Sequence, residues 1–406
     1  MAGPLSHIRV LDLSRVMAGP WAGQVLADLG ADVTKVERPG VGDDTRAWGP
    51  PFLDAGDGSG ARNAGYFLAC NRAKRSLTLD LTKPEGQRIV RALAARSDIV
   101  LENFKVGTLA RFGLAYDDLA KVNPRIIFCS ITGFGQDGPK AENVAYDFMI
   151  QAMGGLMSVT GEEDGKPGGG PQKVGVPVVD LMTGMYAVVA VLAALARREA
   201  RGHGEYIDLA MLDVQTAILA NQAMNFMLSG KTPRRYGNGH PNIMPQQVFK
   251  CSDGNVVLAV GNDGQYRRMC EAIGRPELAA DERYIKNAGR VQHRDELLAT
   301  IAGIFAGWKR ADLVPALDAA EVPCGPINSV PEVFEDEQVR HRGMRFDIKH
   351  PVSGQVPQVA SPLRFAQAPL SYDRAPPLLG EHSVEILHEL GIGDDEIESL
   401  RQAHII

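Results

Sequence analysis

The segment Ile8–Val36, IRVLDLSRVMAGPWAGQVLADLGADVTKV, carries two short apolar runs separated by a helical pattern. The first run, Ile8–Leu13, ends in polar residues and predicts a buried strand. The helix that follows has its apolar residues on one face and ends at a glycine, which is typical of a helix C-terminus. The second run, Asp32–Val36, predicts another strand. The segment therefore predicts a βαβ unit, in which the two strands are parallel.

The same alternation continues through the first half of the chain. The apolar patterns predict helices at Pro84–Ala95, Tyr116–Val122 and Met211–Leu228, and strands at Ile99–Glu102, Ile126–Ile131 and Glu205–Asp208. Strands that alternate with helices are typical of a parallel sheet covered by helices on both faces. The sequence therefore predicts an α/β fold with a large, Rossmann-like parallel-sheet domain.

The pattern changes after a polar connector, Gly230–His240. The residues beyond it predict a hairpin strand at Asp253–Val260 and helices at Gln265–Ile273, Arg294–Phe305 and Lys309–Leu317. These elements favour a smaller α+β domain at 226–330. The large domain then takes residues 1–225 and a returning C-terminal tail, 331–406, with a final helix around Val384–Leu390.

Composition limits the classes of function. The chain has 406 residues and a formal net charge of −6, which argues against a general nucleic-acid-binding protein, since such proteins are normally basic. Its five cysteines never form a CxxC pair, and its nine histidines show no metal-ligand spacing. The N-terminus carries no long apolar run of the kind found in signal peptides. We therefore expect a cytoplasmic protein with reduced thiols, no metal site, and neither nucleic acid nor membrane as a partner.

One carboxylate stands out in the stretch Gly175–Gly184, GVPVVDLMTG. Asp180 follows the apolar run Val176–Val179, and it precedes a polar turn at Thr183-Gly184 and the helix-forming run Met185–Arg198. Placing an acid between two apolar segments costs on the order of several kcal/mol unless the charge is paired or used. Two interpretations are open: Asp180 caps the following helix, or it takes part in chemistry.

Basic residues gather in the N-terminal third, at turns next to predicted strands. They are Arg15, Arg38, Arg46, Lys74, Arg75, Lys105 and Arg111, with Asn103 beside them. Ligands of parallel α/β sheets bind at the carboxyl ends of strands, and arginine makes bidentate contacts with phosphate. The cluster is therefore either a set of unrelated surface charges or a pocket for a multiply phosphorylated ligand. The motif GFGQDG, Gly133–Gly138, does not indicate a dinucleotide site, because Pro139 breaks the helix that such a site requires.

Several longer and mutually different segments are spread along the whole chain. They are DLSRVMAGPWAGQVLADLGADVTKVERPGVGDDTR (12–46), NRAKRSLTLDL (71–81), ENFKVGTLARFGL (102–114), SITGFGQDGP (130–139), the Asp180 stretch, GHGEYIDLAMLD (202–213) and GNDGQ (261–265). Together they resemble the class III CoA-transferases, the group of formyl-CoA transferase, carnitine CoA-transferase and α-methylacyl-CoA racemase. The segments DDTRAWGPPF (43–52), NGHPNIMPQQVF (238–249) and GPINSVPEVFEDEQVRHRGM (325–344) are most similar to the succinyl-CoA:dicarboxylate transferases of the glutarate and itaconate kind.

The resemblance implies roles for individual residues. It places the nucleophilic aspartate of the family at Asp180 and the mobile glycine loop that covers the acyl group at Gly261–Gln265, with Gly261, Gly264 and Gln265 as catalytic positions. The implied CoA contacts are Arg15, Val16, Met17, Ala18, Arg38, Leu79, Asn103, Arg111, Phe112, Tyr146 and Met211. The implied assembly is an interlocked homodimer. No cofactor is expected to stay bound, since coenzyme A enters as a thioester substrate together with a carboxylic acid.

The implied reaction is the transfer of CoA from succinyl-CoA to a dicarboxylate such as glutarate or itaconate, through an aspartyl anhydride and an aspartyl-CoA thioester. The second carboxylate of such an acid requires a polar or cationic partner. The candidates are Arg46, Arg234, Arg235 and His240, with a solvated surface position as the alternative for each.

Two positions differ from those of other members of the group. Formyl-CoA transferase has glutamine where this chain has Met17, which argues against a formate or oxalate enzyme. The racemases carry His-Asp where this chain has Tyr146-Asp147, and tyrosine, with a pKa near ~10, is a poor base at neutral pH. A racemase of the same family and a non-catalytic CoA-binding protein are the alternatives to a transferase.

Overall fold

Strands and helices alternate through most of the chain. The computed structural model describes residues 3–54, 62–350 and 352–406. Within these ranges the strands are β1 (Arg9–Asp12), β2 (Asp32–Glu37), β3 (Phe52–Asp54), β4 (Arg62–Ala64), β5 (Lys74–Thr78), β6 (Ile99–Glu102), β7 (Ile127–Thr132), β8 (Glu205–Ala210), β9 (Gln246–Cys251), β10 (Gly254–Ala259), β11 (Cys324–Pro326), β12 (Arg345–His350) and β13 (Gly354–Val359).

The helices are distributed between and after these strands. They are α1 (Ala18–Asp28), α2 (Gly65–Leu68), α3 (Pro84–Ala94), α4 (Thr108–Arg111), α5 (Tyr116–Val122), α6 (Asp147–Met153), α7 (Leu156–Val159), α8 (Val178–Arg201), α9 (Met211–Ala217), α10 (Ala220–Ser229), α11 (Asp263–Ala272), α12 (Pro276–Ala280), α13 (Asn287–Gln292), α14 (Arg294–Phe305), α15 (Arg310–Ala319), α16 (Val330–Glu335), α17 (Glu337–His341), α18 (Ser383–Glu389) and α19 (Asp394–Gln402). A short 3₁₀ helix spans Asp44–Ala47.

Six parallel strands form the central sheet. Their order across the sheet is β5-β2-β1-β6-β7-β8, and every neighbouring pair is parallel. Numbered along the chain within this sheet, the order is 3-2-1-4-5-6, which is that of the Rossmann fold. The prediction of an α/β fold with a parallel sheet is confirmed. The strand order reverses direction between β1 and β6, where such folds have their binding crevice.

Both faces of this sheet are covered. One face packs against α1 and α8 through Val10, Val33, Ile99, Leu101 and Ile127. The other face packs against α3, α18 and α19 through Leu11, Val36, Leu77, Val100 and Phe128. Because successive side chains of a strand point to opposite faces, burial of both faces requires nearly continuous apolar strands. This is why the sequence shows short apolar runs here rather than alternation.

The chain divides into two compact units. The first comprises Met1–Leu156, Val174–Ala220 and Glu337–Ile406, and the second comprises Met157–Lys173 and Asn221–Asp336. In the second unit, β9, β10 and β11 form an antiparallel sheet whose core includes side chains of α11, α14 and α15. The predicted small domain, 226–330, falls inside this unit. Residues 157–173, 221–225 and 331–336, which we assigned to the large domain, belong to the second unit instead.

Helix α8 differs from the prediction. We expected a turn at Thr183-Gly184 and a helix that begins at Met185, whereas α8 already begins at Val178 and continues through Gly184. The glycine serves packing rather than a turn, because a Cβ at Gly184 would lie 2.7 Å from the carbonyl oxygen of Ala18 in α1. Among the described residues, α8 alone is long and apolar enough to cross a membrane, but half of its apolar window is buried in the protein.

Three other predictions required correction. Lys74 and Arg75 lie in strand β5, not in a turn. The helix predicted at Met211–Leu228 is two helices, because the chain between Ala217 and Ala220 leaves the helical path and Ala220 takes a φ of 44°. The helix predicted around Val384–Leu390 is followed by a further one, α19.

The buried basic residues of this sheet belong to ion pairs. The Lys74 ammonium, which is inaccessible to solvent, donates to Asp12 Oδ2 at 2.9 Å, to the carbonyl of Pro20 at 2.8 Å and to Asn71 Oδ1 at 2.9 Å. Burial acts to raise the pKa of Asp12, but the charges of Lys74 and Lys35 outweigh it and hold the pKa below its usual value. All three donors of this ammonium are satisfied, so the carboxylate and the ammonium depend on each other.

We predict that Lys74→Met destabilises the protein by about 3–5 kcal/mol, because it leaves the Asp12 carboxylate buried without its partner. The measurement is the free energy of unfolding from urea titration. Lys121→Met, which removes the exposed partner of Asp118, is the matched control and should cost less than about 1 kcal/mol. Equal effects of the two substitutions would contradict the prediction.

Candidate active site

The loops after β1 and β6 meet at the point where the strand order reverses. The backbone N–H of Arg15 donates to Asn103 Oδ1 at 2.9 Å, and Asn103 Nδ2 donates to the carbonyl of Arg15 at 2.7 Å. This pair of hydrogen bonds joins the carboxyl ends of the two strands. Arg15 and Asn103 therefore lie together at the carboxyl ends of the strands, as predicted.

A cavity of about 520 Å³ opens at this edge of the sheet. Its walls include seven of the implied CoA contacts and the implied nucleophile: Arg15, Val16, Met17, Ala18, Asn103, Tyr146, Met211 and Asp180. The remaining wall residues come mainly from the segments after β6 and β7, among them Phe104, Lys105, Thr132, Gly133 and Val144. The fold thus brings together residues that are almost 200 positions apart in the chain.

A second cavity, of about 260 Å³, shares Arg15, Asp44 and Phe104 with the first. Three further implied CoA contacts, Arg38, Leu79 and Phe112, line it. Arg111 lines neither cavity, and its Nη2 lies 3.4 Å from Thr108 Oγ1. Because the two cavities share these three wall residues, we refer to them together as the sheet-edge cleft.

Asp180 lies in the first turn of α8 and is 8% exposed. Burial, and secondarily the negative charge of Asp147, raise the pKa of Asp180 to about 7. The N-cap position of α8 is held by Pro177, and Asp180 lies inside the helix as its third residue. The capping interpretation of Asp180 is therefore wrong.

The carboxylate of Asp147 serves the N-terminus of α8 instead. Its Oδ2 accepts the backbone N–H groups of Val179 at 2.8 Å and Asp180 at 3.2 Å. Its Oδ1 accepts Nε2 of Gln151 at 2.5 Å, and Gln151 Oε1 in turn accepts the N–H of Val174 at 2.9 Å. Asp147 therefore fixes the backbone that carries Asp180 while its charge keeps the neighbouring acid weak.

The loop after β1 is held in a strained conformation. Val16 has a φ of 72°, which is uncommon for a β-branched residue. Its N–H donates to the carboxylate of Asp43, with both oxygens at 3.2 Å, and Asp43 is paired with the buried ammonium of Lys35 at 2.9 Å. The ion pair compensates the strain and shapes one wall of the sheet-edge cleft.

Two aromatic residues near Asp180 were missed in the sequence. Trp48 lines the larger cavity, and its ring centroid lies 5.3 Å from that of Tyr66 in an edge-on arrangement. Partial burial and the charges of Asp180 and Asp147 raise the pKa of Tyr66 to about 12. The phenol therefore stays protonated as a hydrogen-bond donor. Isolated aromatic residues carry no spacing signal, so the sequence alone could not identify them.

The loop Gly261–Gln265 lies in the second unit and closes on itself. The N–H of Gly261 donates to Gln265 Oε1 at 2.7 Å. The N–H of Gln265 donates to Oδ1 of Asn262, the N-cap residue of α11, at 2.9 Å. The structure thus shows an ordered turn at these residues, with the Gly261 N–H engaged by an amide oxygen.

Arg46 does not have the role that we expected. Its guanidinium is buried and donates to Glu37 from Nε at 2.8 Å and from Nη2 at 2.6 Å, and to Asn63 Oδ1 at 2.7 Å. It also lies over the ring of Phe67, at 3.7 Å from the centroid. The prediction that Arg46 receives a substrate carboxylate is therefore corrected, because these internal partners already occupy its guanidinium.

The other three candidates lie in the second unit. Arg235 is engaged by the carbonyls of Ser158 and Glu162 and by Asp164. The side chain of Arg234 is 64% exposed, and its Nη1 lies 3.3 Å from Oε1 of Glu163. These contacts favour Arg234 over Arg235 as a residue able to exchange its partner for a ligand.

His240 is held in one tautomer. Its Nδ1 accepts the N–H groups of Asn242 at 3.1 Å and Ile243 at 3.0 Å. Burial and the charge of Arg294 lower the pKa of His240. The imidazole is therefore neutral at pH 7 and carries its proton on Nε2.

Comparison with known proteins identifies the family. The model of CoA-transferase family III matches residues 5–383. The chain belongs to CoA-transferase family III. The prediction of a class III CoA-transferase is confirmed by this match.

Curated relatives of this family III chain are similar over nearly their whole lengths. A succinate–glutarate CoA-transferase of Agrobacterium fabrum is 51% identical over 95% of this chain and 96% of its own. The succinyl-CoA:glutarate CoA-transferase of Mus musculus is 41% identical over 99% of this chain and 90% of its own. A succinyl-CoA:mesaconate CoA-transferase of Haloarcula hispanica is 39% identical over 96% and 97%.

Solved structures agree with the family assignment. The crystal structure of a CAIB/BAIF family protein from Brucella suis has a TM-score of 0.84 and 49% identity, over 96% of this chain and 100% of that chain. The structure of Rv3272 from M. tuberculosis has a TM-score of 0.81 and 31% identity, over 95% and 99%. The fold of this chain is therefore similar to that of these two solved proteins.

We predict that Asp180→Asn stabilises the protein at pH 8 more than at pH 5. The pKa of Asp180 is about 7 in the folded chain, against an ordinary value near ~4 for aspartate in the unfolded chain. The folded state therefore holds a proton that the unfolded state releases, so stability falls as the pH rises from about 4 to 7. Asparagine does not ionise, so the variant does not lose folding stability through this group as the pH rises. The measurement is urea unfolding at both pH values.

The matched control is Asp213→Asn, which changes an exposed aspartate in the first turn of α9. It should show no such pH dependence. A stability difference between wild type and Asp180→Asn that is the same at pH 5 and pH 8 would contradict the raised pKa.

Proposed function

We propose that this family III CoA-transferase moves CoA from succinyl-CoA to a five-carbon dicarboxylate such as glutarate or itaconate, with Asp180 as the nucleophile. One observation carries the proposal: the buried carboxylate of Asp180 lines the same cavity as Arg15, Asn103 and Tyr146, at the reversal point of a parallel sheet. The named relatives use succinyl-CoA with glutarate or mesaconate, which supports this choice of donor and acceptor.

The proposed reaction has four steps, each of which forms or breaks a bond to the carboxyl group of Asp180. The carboxylate attacks the thioester carbonyl of succinyl-CoA, the C–S bond breaks, and a mixed anhydride and CoA thiolate result. The thiolate attacks the aspartyl carbonyl and releases succinate, leaving an aspartyl-CoA thioester. The carboxylate of the acceptor displaces the thiolate to form a second anhydride. The thiolate then attacks the acceptor's carbonyl, which yields the new acyl-CoA and regenerates Asp180.

The proposed reaction gives distinct tasks to several other residues. The carboxylate of Asp147 accepts the backbone N–H groups of Val179 and Asp180 and thereby holds the proposed nucleophile at the cavity wall. The sheet-edge cleft offers Arg15 and Arg38 to the phosphates of CoA, and the ion pair of Arg15 with Asp44 is exposed to solvent. Backbone N–H groups of the loop Gly261–Gln265 are proposed oxyanion donors. Arg234 and the Nε2–H of His240 are proposed partners of the distal carboxylate.

The environment of Asp147 favours transfer over racemisation. An acid–base element at Tyr146-Asp147 would need a base that is free to take a proton. The carboxylate of Asp147 accepts hydrogen bonds from Val179, Asp180 and Gln151, and tyrosine is protonated at neutral pH. These contacts fit a residue that positions the nucleophile.

We also propose that the protein acts in the cytoplasm as a homodimer, with no cofactor that stays bound and no membrane or nucleic-acid partner. Several large apolar side chains of α8 and α10 are at least half exposed: Val189, Met224, Phe226, Met227 and Leu228. Such a set favours burial against another chain.

Asp180→Asn and Asp180→Ala should lower CoA transfer by about a thousandfold or more, because neither an amide nor a methyl group can replace the attacking carboxylate. CoA binding should persist, since the phosphate and nucleotide contacts are intact. The measurements are formation of the new acyl-CoA by mass spectrometry and CoA binding by calorimetry, with Asp213→Asn as the control that keeps its activity.

A chemical test of the intermediate accompanies these substitutions. Borohydride or hydroxylamine added during turnover should modify the peptide that contains Asp180 in wild type and not in Asp180→Asn. Retention of most of the activity by Asp180→Asn, or trapping at another residue, would refute the nucleophile assignment.

A panel of acceptor acids against succinyl-CoA tests the proposed substrate class. We expect the highest kcat/KM with five-carbon dicarboxylates and a large loss with the monocarboxylate valerate, which has the same chain length as glutarate but lacks the distal charge. Arg234→Gln should reduce the preference for glutarate over valerate while leaving valerate unchanged. Equal use of both acids by wild type would refute the dicarboxylate proposal and leave CoA transfer itself intact.

A further inference from the structure

Arg290 is a buried cation at the centre of the second unit. Its residue is inaccessible to solvent, and its guanidinium carbon lies 4.5 Å from the centroid of the Tyr266 ring. Nε donates to the carbonyl of Met244 at 2.7 Å, and Nη1 donates to the carbonyl of Tyr284 at 2.8 Å. Nη2 donates to Oδ1 of Asp263, also at 2.8 Å. This arginine therefore bonds three chain segments at once.

Asp263 is the acidic partner, and it stands inside the glycine loop. It is the first residue of α11, directly after the N-cap Asn262. Its Oδ1 also accepts the N–H of Asn287 at 3.0 Å, and its Oδ2 lies 3.5 Å from Nζ of Lys286. Burial acts to raise the pKa of Asp263, but Arg290 and Lys286 outweigh it and lower the pKa. The loop is thereby attached to the segment that carries Arg290.

The segment His240–Met244 is hydrogen-bonded to Asn287, which also contacts Asp263. The N–H of Met244 donates to Asn287 Oδ1 at 3.1 Å, and Asn287 Nδ2 donates to the carbonyl of Asn242 at 2.9 Å. The N–H groups of Asn242 and Ile243 in turn hold the ring of His240. Arg290 and its neighbour Asn287 thus reach both segments of the second unit to which the proposed function gives a role.

A buried arginine is costly unless its donors and its charge are satisfied, and apolar residues of similar volume often stabilise a protein as well or better. The hydrogen bonds of Arg290 end on three backbone carbonyls, those of Met244, Tyr284 and Ile285, and on the carboxylate of Asp263. Such an arrangement fixes the geometry of several segments rather than adding apolar burial. The Arg290–Asp263 pair is the charged link in it.

We propose that Arg290 and Asp263 are positioning residues that join the loop Gly261–Gln265 and the segment His240–Met244 into one assembly. The proposed oxyanion donors and the proposed partner of the distal carboxylate are then set together, so a change at one segment is transmitted to the other. The link to catalysis rests on the proposed function, whereas the mechanical coupling does not.

The experiment uses Asp263→Asn, which keeps the shape and removes the charge, in the full-length protein. Amide hydrogen exchange should accelerate by about tenfold or more at both segments, because hydrogen bonds to a charged group are stronger than those to a neutral amide. With succinyl-CoA and glutarate, kcat should fall by about ten- to hundredfold through misplacement of the reacting groups. The KM for succinyl-CoA should stay unchanged, because the CoA contacts lie in the first unit.

Two further variants complete the test. Asp263→Glu retains the carboxylate and should recover most of the exchange protection and of kcat. Asp281→Asn is the matched control, because it removes a partly exposed carboxylate paired with Arg283 in the same unit, 2.7 Å from Nη2, and should change neither measurement.

Faster exchange at the loop alone, or at neither segment, would overturn the coupling. A rise in the KM for succinyl-CoA with kcat unchanged would overturn the positioning role. If wild type fails to transfer CoA at all, the proposed function is refuted, while the exchange measurements still decide whether Arg290 and Asp263 couple the two segments.

Discussion

The sheet-edge cleft depends on charges buried beneath it. The ammonium of Lys35 pairs with Asp43 at 2.9 Å, and Asp43 holds the N–H of Val16 in a conformation that a β-branched residue rarely adopts. Lys74 ties Asp12, at the end of β1, to the backbone at Pro20, where α1 begins. Removal of one member leaves an unpaired charge in a site without solvent, which costs far more than the pair contributes. The loop that shapes the cleft is therefore fixed by buried ion pairs within the first unit.

Asp180 acquires its properties from its neighbours in the fold. Its position in the first turn of a helix would favour the anion, but burial and the nearby carboxylate of Asp147 raise its pKa to about 7. Asp147 takes the backbone amides that would otherwise stabilise the Asp180 anion. A carboxylate with less stabilisation is a stronger base and a better nucleophile once ionised, which suits attack on a thioester.

Much of the first unit could be predicted from local patterns. The helix Tyr116–Val122 and the strand Ile99–Glu102 have the predicted bounds, because their apolar spacing is unambiguous. The family resemblance, carried by segments spread over the chain, was confirmed by the family match. Strand β5 was missed because its polar residues, Lys74 and Arg75, are buried through ion pairs that local composition does not show.

The sequence by itself determined the parallel α/β sheet, the family and most of the implied positions that line the cleft, because strand alternation and long motifs are local in the chain. Only the tertiary structure decided which charges are available. In the folded chain Arg46 pairs with Glu37. The N-terminus of α8 is capped by Asp147 rather than by Asp180. Tyr66 lies close enough to Asp180 for the charge of that carboxylate to raise the pKa of the tyrosine. Burial and pairing are set by groups far away in the chain, so residue type alone cannot separate a structural cation from one that receives a substrate.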